Sequence, residues 1–455
     1  MLQSALRSDA LTIWQAGLDA VKADRLVRDY VRVDHSYLVI GKNGELAIDL
    51  SQIRRLLVIG AGKAGAGMVQ GLEEAIPEQI AAEKALTGWV NVPEDCVKPT
   101  RWVRLHPARP AGLNEPTEAG VWGTQKILEL VRPAEPGDVC LCLLSGGGSA
   151  LLPAPIQGLT LEDKQKVTRI LSAAGANIAE LNTVRKHLSR VKGGKLLRQC
   201  GAGWLITLVI SDVLGDPLDL IASGPTVTDT STPKDALEVL QRYAGPDCEI
   251  PANVFDVLKR QIDEPPGPVK TKAFHFIIGN NQTAVEASRQ KAHKLGYVTT
   301  TQSATQLEGL AEDIGRSLAH AGLAQLRLPG RHCLVSGGEP VVRLAPPEIR
   351  GLGGRNQQLV LAATDLLWDN PPKEMILLSA GTDGEDGPTD AAGAFVDAGI
   401  IQAAKERSML PASYLARNDA YHFFAPLGAL IKTGPTHTNV CDVRVVLTAQ
   451  VGGES

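Results

Sequence analysis

Aromatic residues make up only 4% of this chain of 455, too few for the stacking platforms on which single-stranded nucleic-acid binders rely. Positive charge is not in excess either. Forty-six basic residues face 50 acidic ones for a net charge of −4, so no basic field draws nucleic acid or an anionic membrane. The seven cysteines (Cys96, Cys140, Cys142, Cys200, Cys248, Cys333, Cys441) are odd in number and form no CxxC pair, and the nine histidines show no HxxxH or HExxH spacing. A structural zinc site is therefore disfavoured. Cys140 and Cys142 alternate within an apolar run and read as core, and scattered thiols point to a reducing compartment. No apolar stretch reaches the roughly 20 residues that span a bilayer, and residues 1–7 lack the order of a signal peptide. The expectation is a cytoplasmic protein without nucleic-acid or membrane partners.

What is present is an ordinary globular composition, 44% hydrophobic and 21% charged, in a chain too long for one core. Leu11, Trp14, Leu18 and Val21 predict an opening amphipathic helix capped by Ser8 or Asp9. From residue 55 strands and helices alternate. Residues 56–59, 139–144 and 204–210 are apolar without alternation, as strands of a parallel sheet covered on both faces are. Met68, Leu72 and Ile76 mark a helix after the first of them, and Thr160 with Asp163 starts another as a capping box. The prolines at 265, 266 and 268 then interrupt the pattern. It resumes with residues 274–278, 333–335 and 375–378. The fold class predicted is α/β: two Rossmann-like domains with mainly parallel sheets, over residues 1–245 and 273–455, joined by a linker at 246–272. Ligands of such sheets bind outside the carboxyl ends of the strands, here in an interdomain cleft.

The strands run into glycine-rich polar loops, and the loop at 379–390 is the most informative. It carries Asp383, Glu385, Asp386 and Asp390 among three glycines, more acid than a turn requires. Its spacing fails the EF-hand pattern, because Gly387 stands at the fifth position. Carboxylates facing a Mg-nucleotide fit better, with Asp383 the foremost candidate and the other three second-layer or solvated. Gly60-Ala61-Gly62-Lys63-Ala64-Gly65 matches G-x-G-x-x-G but lacks the ribose-binding acid about 20 residues on. Lys63 at a helix start favours a phosphate or carboxylate. Ser145, Gly146, Gly147, Gly148 and Ser149 form a second anion cradle, while Leu151 breaks a nucleophile elbow. Arg185, Lys186, Lys192 and Lys195 make a locally basic segment. Asp212 and Glu339 each follow a strand, Arg355 opens a helix where it can clamp an anion bidentately, and His437 and Asn439 precede the last strand. Glycine cradles, cations and displayed acids together suggest phosphoryl transfer.

Residues 143–151, 181–189 (Leu-Asn-Thr-Val-Arg-Lys-His-Leu-Ser) and 211–216 (Ser-Asp-Val-Leu-Gly-Asp) resemble the N-terminal half of class II glycerate 2-kinases. Residues 336–339, 354–357, 381–384 and the pair Thr438-Asn439 resemble the MOFRL domain of the same family, so the likeness extends from about residue 9 to 447. The resemblance implies an ATP-dependent kinase that converts D-glycerate to 2-phosphoglycerate with Mg²⁺, its cleft lined by Lys63, Asp212, Glu339, Arg355, Asp383 and Asn439. Lys63, Asp212, Arg355 and Asp383 are the expected catalytic residues, and Asp212 and Asp383 the expected metal ligands. Residues 145–149, Lys195, Glu339 and Asn439 are expected to bind substrate or nucleotide, and a homodimer is the expected assembly. Two rivals stand beside this reading: an NAD(P)H-dependent hydroxypyruvate reductase, favoured by the G-x-G-x-x-G loop, and a non-catalytic sugar-phosphate binder.

Overall fold

The structure, a computed structural model, describes residues 2–244, 250–263, 267–306 and 308–450. It divides into two compact units, one of residues 23–211 and 216–278, the other of residues 1–22, 212–215 and 279–455. Both are α/β.

The first unit holds β1 (Val31–Asp34), β2 (Tyr37–Ile40) and β3 (Leu46–Asp49) as a small antiparallel sheet. Its main sheet comprises β4 (Arg55–Ala61), β5 (Thr87–Pro93), β6 (Val103–Arg109), β7 (Asp138–Leu144), β8 (Trp204–Ile210) and β9 (Lys272–Gly279), in the order β6-β5-β4-β7-β8-β9. The pairings from β6 through β8 are parallel. β7 is buried along its whole length, which is why its sequence shows no alternation. Thr160 and Asp163 form a full capping box ahead of the helix Leu161–Ala173.

The expected linker is folded differently. Residues Ala252–Asp263 form a helix whose Val254, Val257 and Leu258 join a core with Val167, Leu171, Val184 and Leu240. The strand expected at 274–278 is β9, at the edge of the first unit's sheet rather than in the second. Residues 245–249 and 264–266, including two of the three prolines, lie outside the described residues. The helix ends at Asp263, and β9 rejoins the same sheet from Lys272.

The second unit contains β10 (Val298–Ser303), β11 (Gly330–Gly338), β12 (Met375–Gly381), β13 (Gly393–Asp397), β14 (Leu430–Ile431) and β15 (Asp442–Gln450), in the order β10-β11-β15-β12-β13-β14. Here the expectation of mainly parallel strands needs correction. Only β10–β11 pairs parallel; β11–β15, β15–β12, β12–β13 and β13–β14 are antiparallel. A continuous apolar run reports burial on both faces, which β15 has at a central position, and carries no information on strand direction. The opening helix Leu2–Ala20 belongs to this unit and packs on β12 and β15. It begins before Ser8 and Asp9, because Leu6 extends the buried stripe of Ile13, Trp14 and Leu18 by another turn. Asp9 is not its cap; it accepts hydrogen bonds from Tyr297 Oη (2.8 Å) and Arg331 Nη2 (2.6 Å).

Asp138, wholly buried at the head of β7, accepts from Arg54 and Arg55, with Nη2–Oδ2 distances of 2.7 and 2.8 Å, and from the amide of Glu135 at 2.9 Å. Burial alone would raise its pKa, but the two guanidinium groups and the amide outweigh it and hold the carboxyl at about 2. The folded value lies below the unfolded one, so the contribution to stability is present above about pH 4 and is lost as pH falls toward 2. Asp138→Asn is expected to lower unfolding stability by about 2 kcal/mol at pH 7. Urea titrations repeated down to pH 3 should show that difference narrowing.

Candidate functional site

In the first unit, two loops predicted as separate anion cradles are one structure. Gly62, at φ +149°, approaches so closely that an added Cβ would lie 2.0 Å from Ser145 Oγ. Ser145 Oγ accepts from the Ala64 amide (3.0 Å), and the Lys63 amide donates to Gly146 O (2.9 Å). Those two amides are thus engaged within the protein. The Gly148 amide is engaged as well, donating to Ser145 O (3.1 Å). Gly147 takes φ +78°, and a Cβ there would sit 3.3 Å from Arg109 Nη2 and 3.7 Å from Lys63 Cγ. Farther along, Lys192 Nζ donates to Ser149 O (2.8 Å) and Oγ (2.6 Å), while Ser149 Oγ lies 3.0 Å from Ser223 Oγ.

The basic segment is not a solvated helix face, since Lys186 and Lys192 are both buried. Lys186 pairs with Asp229 at 3.2 Å. Lys195 Nζ donates to the carbonyls of Lys186 (2.9 Å) and His187 (3.4 Å), at the end of the helix Ile178–His187. Burial first, against the pull of Asp229, brings its pKa down to about 8. Lys195 caps a helix, and Lys192 is the lysine that reaches the loop.

The second unit assembles its acids by strand register. Gly338 of β11 and Gly381 of β12 both stand opposite Asp442, the first residue of β15. Because β15 is antiparallel to both, the carboxyl ends of two strands and the amino end of the third meet at one edge. Glu339, Asp383 and Asp442 are brought there together. Arg355, opening the helix Arg355–Leu366, closes on Asp442 through Nε–Oδ2 (2.8 Å) and Nη2–Oδ1 (3.0 Å), and on Glu339 through Nη1–Oε1 (2.8 Å). Asp442 is fully buried and Glu339 is half-buried. Burial raises the Glu339 pKa, with Arg355 opposing.

Asp386 is buried rather than solvated. It accepts from the amides of Asn356 (2.9 Å) and Gln357 (2.8 Å), capping the helix that carries Arg355, and burial pushes its pKa up to about 6. Asp383 Oδ1 accepts from the Glu385 amide (3.1 Å). Asp390 is exposed and pairs with Lys432 at 2.7 Å. Asp212 belongs to this unit too: Asn439 Nδ2 donates to Asp212 Oδ2 (3.2 Å), and Cys441 Sγ to the Asp212 carbonyl (3.0 Å). Asp212, Glu339, Asp383, Asp386 and Asp442 thus share a neighbourhood in which Arg355 donates to Asp442 and Glu339. Glu339 and Arg355 also line a cavity of about 490 Å³, whose other walls include Val341, Leu344, Pro388 and Asn418.

Among the described residues no group of three or more His, Cys, Asp or Glu side chains is arranged to enclose a metal ion. Mg²⁺ needs no such enclosure, since it keeps waters and binds through one or two carboxylates together with substrate phosphates. Sequence reasoning missed Asp442, Arg109 and the capping role of Asp386. Asp442 had a signal, an acid directly ahead of a buried apolar run. Arg109 had none, lying at a strand end with no glycine loop beside it in sequence.

Breaking a buried pair from one side strands the remaining charge. Asp442→Ala is accordingly expected to cost about 3 kcal/mol or more of unfolding stability. Glu339→Gln, at the half-exposed partner, should cost about 1 kcal/mol or less. Chemical denaturation of the two variants side by side tests the ordering.

Residues 9–259 match the family model described as "Domain of unknown function (DUF4147)", and residues 332–442 match the MOFRL family. A D-glycerate 2-kinase of Thermotoga maritima is 35% identical over 97% of this chain and 98% of its own length. A glycerate kinase of Rattus norvegicus is 34% identical over 97% of this chain and 93% of its own. Among solved structures, a glycerate kinase from Thermotoga maritima superposes with a TM-score of 0.82 at 34% identity, covering 98% of this chain and 100% of that one. A Pyrococcus horikoshii protein does so at 0.80 and 31% identity, covering 98% and 99%. With glycine loop, acid cluster and domain matches in agreement over nearly its whole length, the chain belongs to the MOFRL-type glycerate kinase family.

Proposed function

We propose that this protein phosphorylates D-glycerate on its 2-hydroxyl at the expense of ATP, giving 2-phosphoglycerate and ADP. The observation that carries the reading is the meeting of three strand ends, which fixes Arg355 among carboxylates. Phosphoryl transfer needs little covalent help from a protein; it needs positioning and neutralisation of charge. In this reading the loop at 145–149 with Lys63 serves neutralisation, Arg355 is a fixed guanidinium, and carboxylates accept the proton.

In the step proposed, the 2-hydroxyl oxygen of glycerate forms a bond to the γ-phosphorus as the bond to the β,γ-bridging oxygen breaks. The hydroxyl proton passes to one of the carboxylates Asp212, Glu339 or Asp383; the Asn439 amide donates to Asp212 Oδ2, and Arg355 donates to Glu339 and Asp442. Arg355, held rigid by those acids, and Lys63 stabilise charge on the transferring oxygens or the substrate carboxylate. Mg²⁺ would be held by Asp383 and Asp212 and would neutralise phosphate charge that the acid-rich unit otherwise repels.

The reductase reading is disfavoured physically. A dinucleotide loop presents its helix-start amides to a pyrophosphate, but here the Lys63 and Ala64 amides are already bonded to Gly146 and Ser145. No helix of the described residues is long and apolar enough to cross a membrane, and the six described cysteines are buried free thiols. These support a cytoplasmic setting.

Incubation with D-glycerate and Mg-ATP is expected to yield ADP and 2-phosphoglycerate, with EDTA suppressing turnover and no NADH oxidation on hydroxypyruvate. Arg355→Ala should lower kcat by about 10²–10³. Asp212→Asn should lower kcat more than Glu339→Gln does. NADH oxidation in place of ADP release would overturn the assignment.

A further inference from the structure

Cys441 stands directly ahead of Asp442 in a left-handed conformation, with φ +67°. That region favours glycine, and a side chain kept there costs free energy unless the surroundings over-determine it. The surroundings here are specific. Asn281 Nδ2 donates to the carbonyls on either side, Val440 O and Asp442 O, both at 2.9 Å. The Cys441 carbonyl accepts from the Thr382 amide (3.0 Å) and from Thr382 Oγ1 (2.7 Å). Thr382 Oγ1 in turn accepts from the Val440 amide (2.9 Å). Residues 440–442 are therefore pinned to the residue before Asp383.

With its carbonyl held in this way, the rest of Cys441 serves Asp212. Its amide donates to Asn439 Oδ1 (3.1 Å), and the other end of that side-chain amide, Nδ2, donates to Asp212 Oδ2 (3.2 Å). Its thiol, on a residue only 3% exposed, donates to the Asp212 carbonyl (3.0 Å) and lies 3.9 Å from Glu339 Oε2. Two donors thus grip the main chain and the carboxylate of Asp212, and one residue sets both. A thiol suits this place. It is a small apolar group with a weak donor, and it brings no formal charge between Asp212 and Glu339.

We propose that Cys441 is the positioning residue for Asp212: its left-handed backbone orients the Asn439 amide and its thiol holds the Asp212 carbonyl, fixing the Asp212 carboxylate relative to Glu339 and Asp442. The inference rests on the kinase reading for what Asp212 does once it is held. Misplacing a reacting group by about 1 Å can cost a rate on the order of 10²-fold, so a residue that touches no substrate still bears on turnover.

The test compares the full chain with Cys441→Ala, Cys441→Gly and Cys441→Ser in hydrogen–deuterium exchange, thermal melting and assays with D-glycerate and Mg-ATP. Cys441→Ala is expected to speed amide exchange at residues 212–215 about tenfold. It should also lower kcat about tenfold or more, with KM for both substrates within about twofold of wild type. Cys441→Gly should match those losses yet melt at or above the Tm of Cys441→Ala, because glycine relieves the left-handed strain. It also serves if the alanine variant does not fold. Cys441→Ser restores a donor and should recover most of the exchange protection and of kcat. Wild-type kcat and exchange in Cys441→Gly would overturn the proposal, as would a serine variant no better than alanine. A fall in kcat with exchange at 212–215 unchanged would do the same. Faster exchange in Cys441→Ala, rescued by serine, in a protein that phosphorylates no glycerate would refute the kinase reading and leave the positioning role standing.

Discussion

The bidentate pair between Arg355 and the buried carboxylate of Asp442 is the interaction on which the second unit's site depends. Asp442 begins β15, which pairs with β11 on one side and β12 on the other, so the carboxylate is fixed by two ladders of backbone hydrogen bonds. The arginine is fixed in turn by its helix, whose first amides are capped by Asp386. Removing Asp442 would leave a guanidinium partly out of water with only half-exposed Glu339 opposite. Glu339 and Asp383 owe their places to the same register, since each follows a strand that pairs with β15.

The first unit solves the opposite electrostatic problem. Its sheet carries two glycine loops side by side because β4 and β7 are adjacent and parallel, ending together at Ala61 and Leu144. Contact between the loops needs glycine at 62, where a side chain would collide with Ser145. That packing consumes the amides a dinucleotide would use and leaves side chains to make the anion site. Acids gather in one unit and cations in the other.

Several predictions from local pattern held because local physics decided them. The Thr160–Asp163 capping box, the strand at 204–210 and the loop glycines after β4 and β7 depend on residues within a few positions of one another. The linker failed because three prolines report a break in regular structure and nothing about which sheet the chain rejoins. Parallel strands in the second unit failed because burial and direction are independent. Among the proposed site residues, Lys63, Asp212, Glu339, Arg355, Asp383 and Asn439 were legible as polar residues beside strand ends, whereas Lys195 bonds a helix end and Lys192 bonds Ser149. Spacing along a basic segment does not say which ammonium turns inward.

By itself, the sequence determined the α/β class, the glycine loops after buried strands, the chemistry offered there and, through long shared motifs, the family. Each is a property of short segments, set by backbone sterics, burial and side-chain type. Tertiary structure alone decided which carboxylate neutralises Arg355, that Asp386 caps a helix rather than facing solvent, and that Lys192 rather than Lys195 bonds Ser149. Those outcomes rest on strand register and on desolvation. Both depend on residues far apart in the chain, as Arg355 and Asp442 are, and become definite only when the sheet has formed.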